Sequence, residues 1–194
     1  RTIQDAAMQN DPPVPVLYGI DAIHGVTYTK GSTLFPHNIG LAAARNPAIV
    51  KQIARVTAME TRAAGIRWNF DPVFDLGVNP LWSRFPETFG EDSYLVQSLG
   101  IANVRGYNED GLDAPTSVAS CMKHYLGYSD PANGKDRTPA YIPDVVLWEK
   151  HLPPFAAAVK AGSPTIMINS ASINGVPVHG SKRLLTDVLR GELG

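Results

Sequence analysis

Four short apolar segments, each bounded by turn residues and each running out into polar side chains, recur along this chain with helical patterns between them. They are Val14 to Ile20, Ile66 to Phe70, Ser117 to Met122 and Thr165 to Ile168. Apolar runs this short suit strands buried on both faces, and such strands need a parallel sheet covered by helices. Strand, helix, strand, helix therefore confines the chain to an α/β fold, either a (β/α)₈ barrel or an open doubly wound sheet. The polar residues choose between them. Side chains capable of chemistry follow every strand directly, as the C-terminal face of a barrel requires, and no Gly-x-Gly-x-x-Gly follows the first strand to cradle a dinucleotide. The expected fold is a partial (β/α)₈ TIM-type barrel of about four βα units, since a whole barrel takes roughly 250 residues.

The helices announce themselves by punctuation. Asn46-Pro47 suits an N-cap and first helical position, Ile49, Ile53, Val56 and Ala63 then share a face, and Gly65 is the stop. Leu95, Leu99 and Ala102 mark a second helix, preceded by the acids Glu91 and Asp92, which favour its dipole, and closed by Gly111. A third carries Trp148, Leu152, Phe155 and Val159, with Pro153-Pro154 expected to kink or divide it. A fourth starts near Ser181 and buries Leu184, Leu185 and Val188. Pro12-Pro13-Val14-Pro15 reads as an ordered lead-in to the first strand.

With 194 residues, 44% of them hydrophobic and 18% charged, the chain can bury a sizeable core. Its net charge of −1 offers no surplus of cations to nucleic acid or to anionic lipid, and no uninterrupted apolar segment is long enough to span a membrane. A small neutral or weakly charged ligand fits this balance. The one cysteine, Cys121, lies in an apolar run and reads as a buried structural thiol; it leaves the compartment open, with a periplasmic or secreted location as the expectation. The chain starts without Met or a signal-like stretch and stops at Gly194 just after a helical pattern, so it reads as cut from something longer.

Each strand delivers candidates. Asp21 and His24 leave the first, in Gly19-Ile20-Asp21-Ala22-Ile23-His24-Gly25, where Asp21 could accept hydrogen bonds from ligand hydroxyls or serve loop backbone groups instead. After the second come Asp71, Asp75 and then Arg84, whose planar fork could meet sugar hydroxyls and which Glu87 could orient. Trp68, Trp82 and Trp148 read as packing residues before stacking ones, and Trp82, beside Arg84, is the best candidate sugar platform among them. The third strand ends in Lys123-His124-Tyr125, and a lysine emerging from a buried segment needs a carboxylate or a task. Arg137 follows in a polar loop and, taken alone, reads as a solvated charge. The last strand delivers Met167 and the small polar residues Asn169, Ser170 and Ser172. His37, His151 and His179 are isolated and lack metal-ligand spacing, so no metal and no cofactor are expected.

Taken in order, these strings resemble glycoside hydrolase family 3, the β-glucosidase-like enzymes. The resemblance rests on Gly19-Ile20-Asp21-Ala22-Ile23-His24-Gly25, on Arg84-Phe85-Pro86-Glu87 with Gly90-Glu91-Asp92, on Lys123-His124-Tyr125, and on Asn174-Gly175 followed by Leu184-Leu185-Thr186-Asp187. It implies that residues 1–194 are part of an N-terminal catalytic barrel, with the rest of the barrel and a second domain supplied by further polypeptide. It implies a pocket for the non-reducing end of a β-glucoside or β-linked gluco-oligosaccharide, in which Asp21 and Arg84 hold the distal hydroxyls and Lys123 and His124 the nearer ones. Arg137 matches an arginine beside the reacting carbon, Met167 matches an apolar pocket wall, and Ser170 stands where many relatives carry an aromatic residue. Non-proline cis peptides are expected around the Lys123-His124 pair. The family mechanism resembles that of other retaining glycosidases: an aspartate attacks the anomeric carbon and a second carboxylic acid protonates the leaving oxygen. The nucleophile is expected in a Ser-Asp-Trp string after Gly194 and the acid/base further on, so Asp21, Asp71, Asp75 and Glu87 take neither role and the span alone is expected to be inactive.

Two other readings compete. One is a non-catalytic sugar-binding module; the other is a lyase barrel in which Lys123 forms a Schiff base with a carbonyl substrate.

Overall fold

The computed structural model describes residues 2–194. Its centre is a four-stranded parallel sheet in the order β1-β2-β3-β4, formed by Gly19–Ile20, Trp68–Asn69, Ala119–Tyr125 and Thr165–Ile168. Every crossover steps to the next neighbour in the same direction. A doubly wound sheet would reverse at a switch point; this one does not, and the fold is a partial TIM-barrel-like α/β structure.

Two of the expected strands shorten on folding. Of Val14 to Ile20 only Gly19 and Ile20 pair, while Val14, Val16, Leu17 and Tyr18 are exposed. The lead-in prolines lack the N–H groups a ladder needs, and the backbone N–H of Val16 instead donates to Gln4 Oε1 of α1 (Thr2–Ala7) at 2.9 Å. β2 is likewise reduced to Trp68–Asn69. β3 is the longest strand and all but its first residue are buried, because it lies between neighbours on both sides.

After α2 (Asn38–Ala44), the outer layer is carried by α3 (Pro47–Ala63), α4 (Ser93–Tyr107) and α6 (Leu152–Lys160). Asn46 caps α3 by accepting from the N–H groups of Ala48 and Ile49, and Asp92 caps α4 by accepting from Leu95 at 2.6 Å. The buried face of α3 differs from the expected one. Val50, Ala54, Thr57, Ala58 and Thr61 point inward, whereas Ile49, Val56 and Ala63 are exposed. The reason is the close approach of α4: a Cβ at Gly106 would lie 2.6 Å from the Ala54 Cβ and closer still to the Lys51 carbonyl, so only small side chains fit between these helices. Hydrophobicity favoured the larger residues, but space decided for alanine and threonine.

Pro153 and Pro154 do not break their helix. α5 (Asp144–Val146) passes into α6 through a wide π-helical turn, Leu147–His151, which takes up the change in bonding ahead of the two residues lacking N–H donors. A hairpin of β5 (Ser172–Ile173) and β6 (Val176–Pro177) leads to a π-type helix, Arg183–Glu192, that buries Leu184 and Val188 as expected. The main core lies between sheet and helices, where Phe155 meets Phe74 at 5.9 Å and Tyr125 edge-on at 5.4 Å between ring centres. The Tyr125 hydroxyl donates to the Leu184 carbonyl, which ties β3 to the last helix.

Candidate functional site

The segments that follow the strands meet at one end of the sheet around a hollow of about 590 Å³. Asp21, Arg84, His124, Arg137 and Met167 line it. Lys123 lies beneath the wall, only 1% exposed, with its Nζ 2.6 Å from Asp21 Oδ1. All six candidates therefore belong to one site, although Asp21 and Lys123 stand 102 residues apart in the chain.

A bulge in β3 brings two adjacent residues to this site. Lys123 pairs with Met167 and Tyr125 with Ile168, so the register slips by one residue at His124. Side chains alternate along a regular strand; an extra residue re-aims them. The Lys123-His124 and Tyr125-Leu126 peptides are both cis, as expected around this pair, and Asp71-Pro72 is cis as well.

Arg84 is held by a fork. Its Nε and Nη2 donate to the two oxygens of Glu87 at 2.9 and 2.7 Å, and its Nη1 lies 3.0 Å from His124 Nε2. Arginine has no acceptor, so His124 Nε2 must accept, and the ring proton sits on Nδ1, which donates to Asp75 Oδ2 at 2.7 Å. Asp75 Oδ2 also accepts the His124 backbone N–H at 3.0 Å. Burial lowers the His124 pKa against the raising effect of Asp75, with the charges of Arg84 and Lys123 adding to the depression, which keeps the ring neutral. Burial would lower Arg84 too, but the hydrogen bonds and charge of Glu87 and the charge of Asp75 outweigh it, so the guanidinium stays cationic.

Arg84, Lys123 and Arg137 thus face the carboxylates of Asp21, Asp75, Glu87 and Asp136 in and under the wall. A mixed set of donors and acceptors matches a neutral polyol, in which every hydroxyl can both give and receive a hydrogen bond. Among the described residues no three His, Cys, Asp or Glu side chains converge as a metal site.

Trp82 packs, as expected of the tryptophans in general, and leaves the possible sugar platform unrealised. Trp82 is 1% exposed and cannot offer a ring face to a sugar; its indole N–H donates to Asp136 Oδ1 at 2.8 Å and its ring meets Tyr128 edge-on. His37 is not isolated: its ring lies 4.1 Å from that of His24, which lines the hollow. Sequence reasoning also passed over Tyr128 and Asp136. Both line the hollow, and Tyr128 packs 4.7 Å from the His124 ring. The signal was present, since Asp136 adjoins Arg137 in a loop already marked as polar, but nothing local shows that a buried indole waits for its carboxylate.

Asp71 is wholly buried and does not reach the hollow. Its Oδ2 accepts from the Tyr107 hydroxyl at 2.6 Å and Asn103 Nδ2 at 3.1 Å, while its Oδ1 has no partner among the described residues. Burial pushes its carboxyl up to about 7, against the lowering effect of Lys123 and of the Tyr107 hydrogen bond. The folded state then keeps a proton that the unfolded chain releases near the ordinary value of 3.8. This group's stabilising contribution is complete below that value and is lost as pH rises through about 7. Asp71→Asn, which cannot ionise, should therefore gain thermal stability relative to the wild type as pH rises across this window. A difference in melting temperature that stays flat from pH 4 to 8 (about the span of the two values) would refute this.

Comparison with known proteins gives a consistent result. The family model for the glycosyl hydrolase family 3 N-terminal domain matches residues 1–194. A lysosomal beta glucosidase of Dictyostelium discoideum is 50% identical over 200 residues, covering 100% of this chain and 24% of that protein. A periplasmic beta-glucosidase of Salmonella typhimurium is 32% identical, covering 100% of this chain and 25% of its own length. The crystal structure of a beta-glucosidase from Listeria innocua in complex with isofagomine superposes with a TM-score of 0.93 at 32% identity, covering 99% of this chain and 27% of that one. The chain spans about a quarter of the length of the curated relatives it matches.

Proposed function

We propose that this chain, which belongs to glycosyl hydrolase family 3 through its N-terminal domain, forms the sugar-gripping wall of a retaining β-glucosidase acting on terminal, non-reducing β-D-glucosyl residues. The observation that carries this reading is the convergence of Asp21, Arg84 and His124 on one hollow, with Lys123 directly beneath Asp21, from three different strand ends. Asp21 accepts from the distal hydroxyls beside the Arg84 fork, the buried Lys123 ammonium backs Asp21 from beneath the wall, and Arg137 and Met167 close the side toward the bond being broken. These contacts tighten as the ring flattens toward an oxocarbenium ion and so favour the transition state. The nucleophilic aspartate and the acid/base belong to polypeptide beyond residue 194, which also completes the barrel and adds a second domain. A periplasmic or secreted site of action is supported by the periplasmic relative, and no helix among the described residues is long and apolar enough to cross a membrane.

The Schiff-base alternative loses support from Lys123, whose Nζ is buried and held at 2.6 Å by Asp21 and so is not free to attack a carbonyl. The decisive assay is release of the aryl group from an aryl β-D-glucoside by the full-length protein carrying this span, with retention of anomeric configuration. Absence of hydrolysis with retained sugar binding would leave a binding module, and borohydride trapping of a carbonyl compound on Lys123 would restore the lyase reading.

A further inference from the structure

The segment Pro131 to Ala140, between β3 and α5, is a tongue closed on itself. Pro131 and Ala140 form an antiparallel bridge, the Ala132 N–H donates to the Pro139 carbonyl at 3.0 Å, and Asn133 Oδ1 accepts from the Lys135 N–H and the Thr138 hydroxyl at 2.9 and 2.7 Å. These bonds set the tongue's own shape and leave open where it lies. Two ties do that. Asn79 Nδ2 donates to the Pro131 carbonyl at the base, and near the tip Trp82 Nε1 donates to Asp136 Oδ1 at 2.8 Å. Asn79 and Trp82 stand in the loop that carries Arg84; Arg137 is the next residue on the tongue, held in the left-handed region at φ 58°. Only Gly adopts that region freely, so a non-glycine residue stays there when its surroundings impose it.

We propose that Trp82 and Asp136 form a clasp joining the two loops, and that Asp136 is a positioning residue which sets Arg137 at its distance from Arg84 across the pocket. Trp82 is otherwise completely packed, and its one polar atom spends its hydrogen bond on a carboxylate of the pocket wall. Burial works against ionisation of Asp136, yet the Trp82 and Tyr128 hydrogen bonds and the charges of Arg84 and Arg137 hold its carboxyl below the usual range, so the acceptor is charged. Asp136 Oδ2 lies 3.7 Å from Arg137 Nε, close enough to bias that side chain as well. This inference rests on the proposed glycosidase reading.

The test is a set of variants in the full-length protein, assayed on an aryl β-D-glucoside. Trp82→Phe keeps an aromatic ring and removes the donor; Asp136→Ala removes the acceptor; Asp136→Asn keeps an amide oxygen in its place. Trp82→Phe and Asp136→Ala should each lower kcat/KM on the order of 10- to 100-fold, mainly through kcat, as expected when a group near the reacting carbon shifts by about an ångström. Each should also lower the melting temperature, through the space left by the smaller ring or the unpaired indole N–H. Asp136→Asn should retain most activity. In an Arg137→Ala background, Asp136→Ala should cost about twofold or less. Wild-type rates for Asp136→Ala and Trp82→Phe, independent losses that multiply in the double variant, or an undiminished loss in the Arg137→Ala background would each overturn the clasp. Should Asp136→Ala fail to fold, Trp82→Phe and Asp136→Asn decide the matter alone. A wild-type protein without glycosidase activity would overturn the functional reading and this inference together.

Discussion

Asp21→Ala is expected to destabilise the protein by about 3 kcal/mol, clearly more than Lys123→Met, although both variants remove the same ion pair. The asymmetry comes from burial. The Lys123 side chain is 1% exposed and that of Asp21 is 49% exposed. Removing the carboxylate leaves an ammonium with little access to water and without its hydrogen-bonded partner, with only the more distant Asp71 to offset it. A poorly compensated buried charge is the costly half of a broken pair. Removing the ammonium leaves a carboxylate that water can solvate, while methionine refills the space with apolar volume. The intact pair itself contributes little, since one partner is half in solvent. Chemical or thermal denaturation of both variants decides it, and equal losses, or a larger loss in Lys123→Met, would show that Lys123 is not the stranded partner. Both variants should also lower kcat/KM on a β-glucoside on the order of 100-fold, because Asp21→Ala removes a charged acceptor for a sugar hydroxyl and Lys123→Met removes the ammonium that holds that acceptor in place.

Asp75→Ala should be the most damaging change at a residue that never touches the hollow. One oxygen, Oδ2, receives both the Nδ1–H and the backbone N–H of His124, and Asp75 is 2% exposed. Alanine leaves two buried donors unpaired, at roughly 1 to 3 kcal/mol each. The ring then loses what holds its proton on Nδ1. With the proton on Nε2, His124 presents a donor to Arg84 Nη1, which is itself a donor, and the 3.0 Å contact becomes repulsive. A fall in kcat/KM of at least 100-fold is expected, by analogy with other histidines that depend on a carboxylate for their tautomer. Asp75→Asn should recover activity better than stability, since an amide oxygen in the Oδ2 position can accept both bonds and keep the tautomer, while the amide N–H groups in the Oδ1 position find no partner. Full activity in Asp75→Ala would mean that the Arg84 contact, and not Asp75, orients the ring.

Much of the site could be read before folding because its members sit at the ends of strands, where local pattern is informative. Asp21 and Arg84 each follow a short apolar run or its loop, and the caps Asn46 and Asp92 behave as their side-chain chemistry demands. Reading failed where a neighbour from elsewhere in the chain set the outcome. Trp82 looked like a platform because it adjoins Arg84, but the tongue after β3 covers it. Ile49 and Val56 looked like core because they are large and apolar, but Gly106 of α4 brings a second helix too close on the opposite face for side chains of that size.

The amino-acid order by itself determined the βα alternation and the barrel-type placement of polar residues, since burial period, caps and turn residues act over a few neighbouring positions, while the set of six candidates came from the family resemblance of its motifs. Only the tertiary structure decided how those residues are wired. The bulge at His124, the pairing of Lys123 with a carboxylate 102 residues away, the proton position set by Asp75 and Arg84, and the Trp82–Asp136 contact all depend on strand register and loop packing. Those are long-range quantities, fixed when separate elements are pressed together, and no local pattern of side chains encodes them.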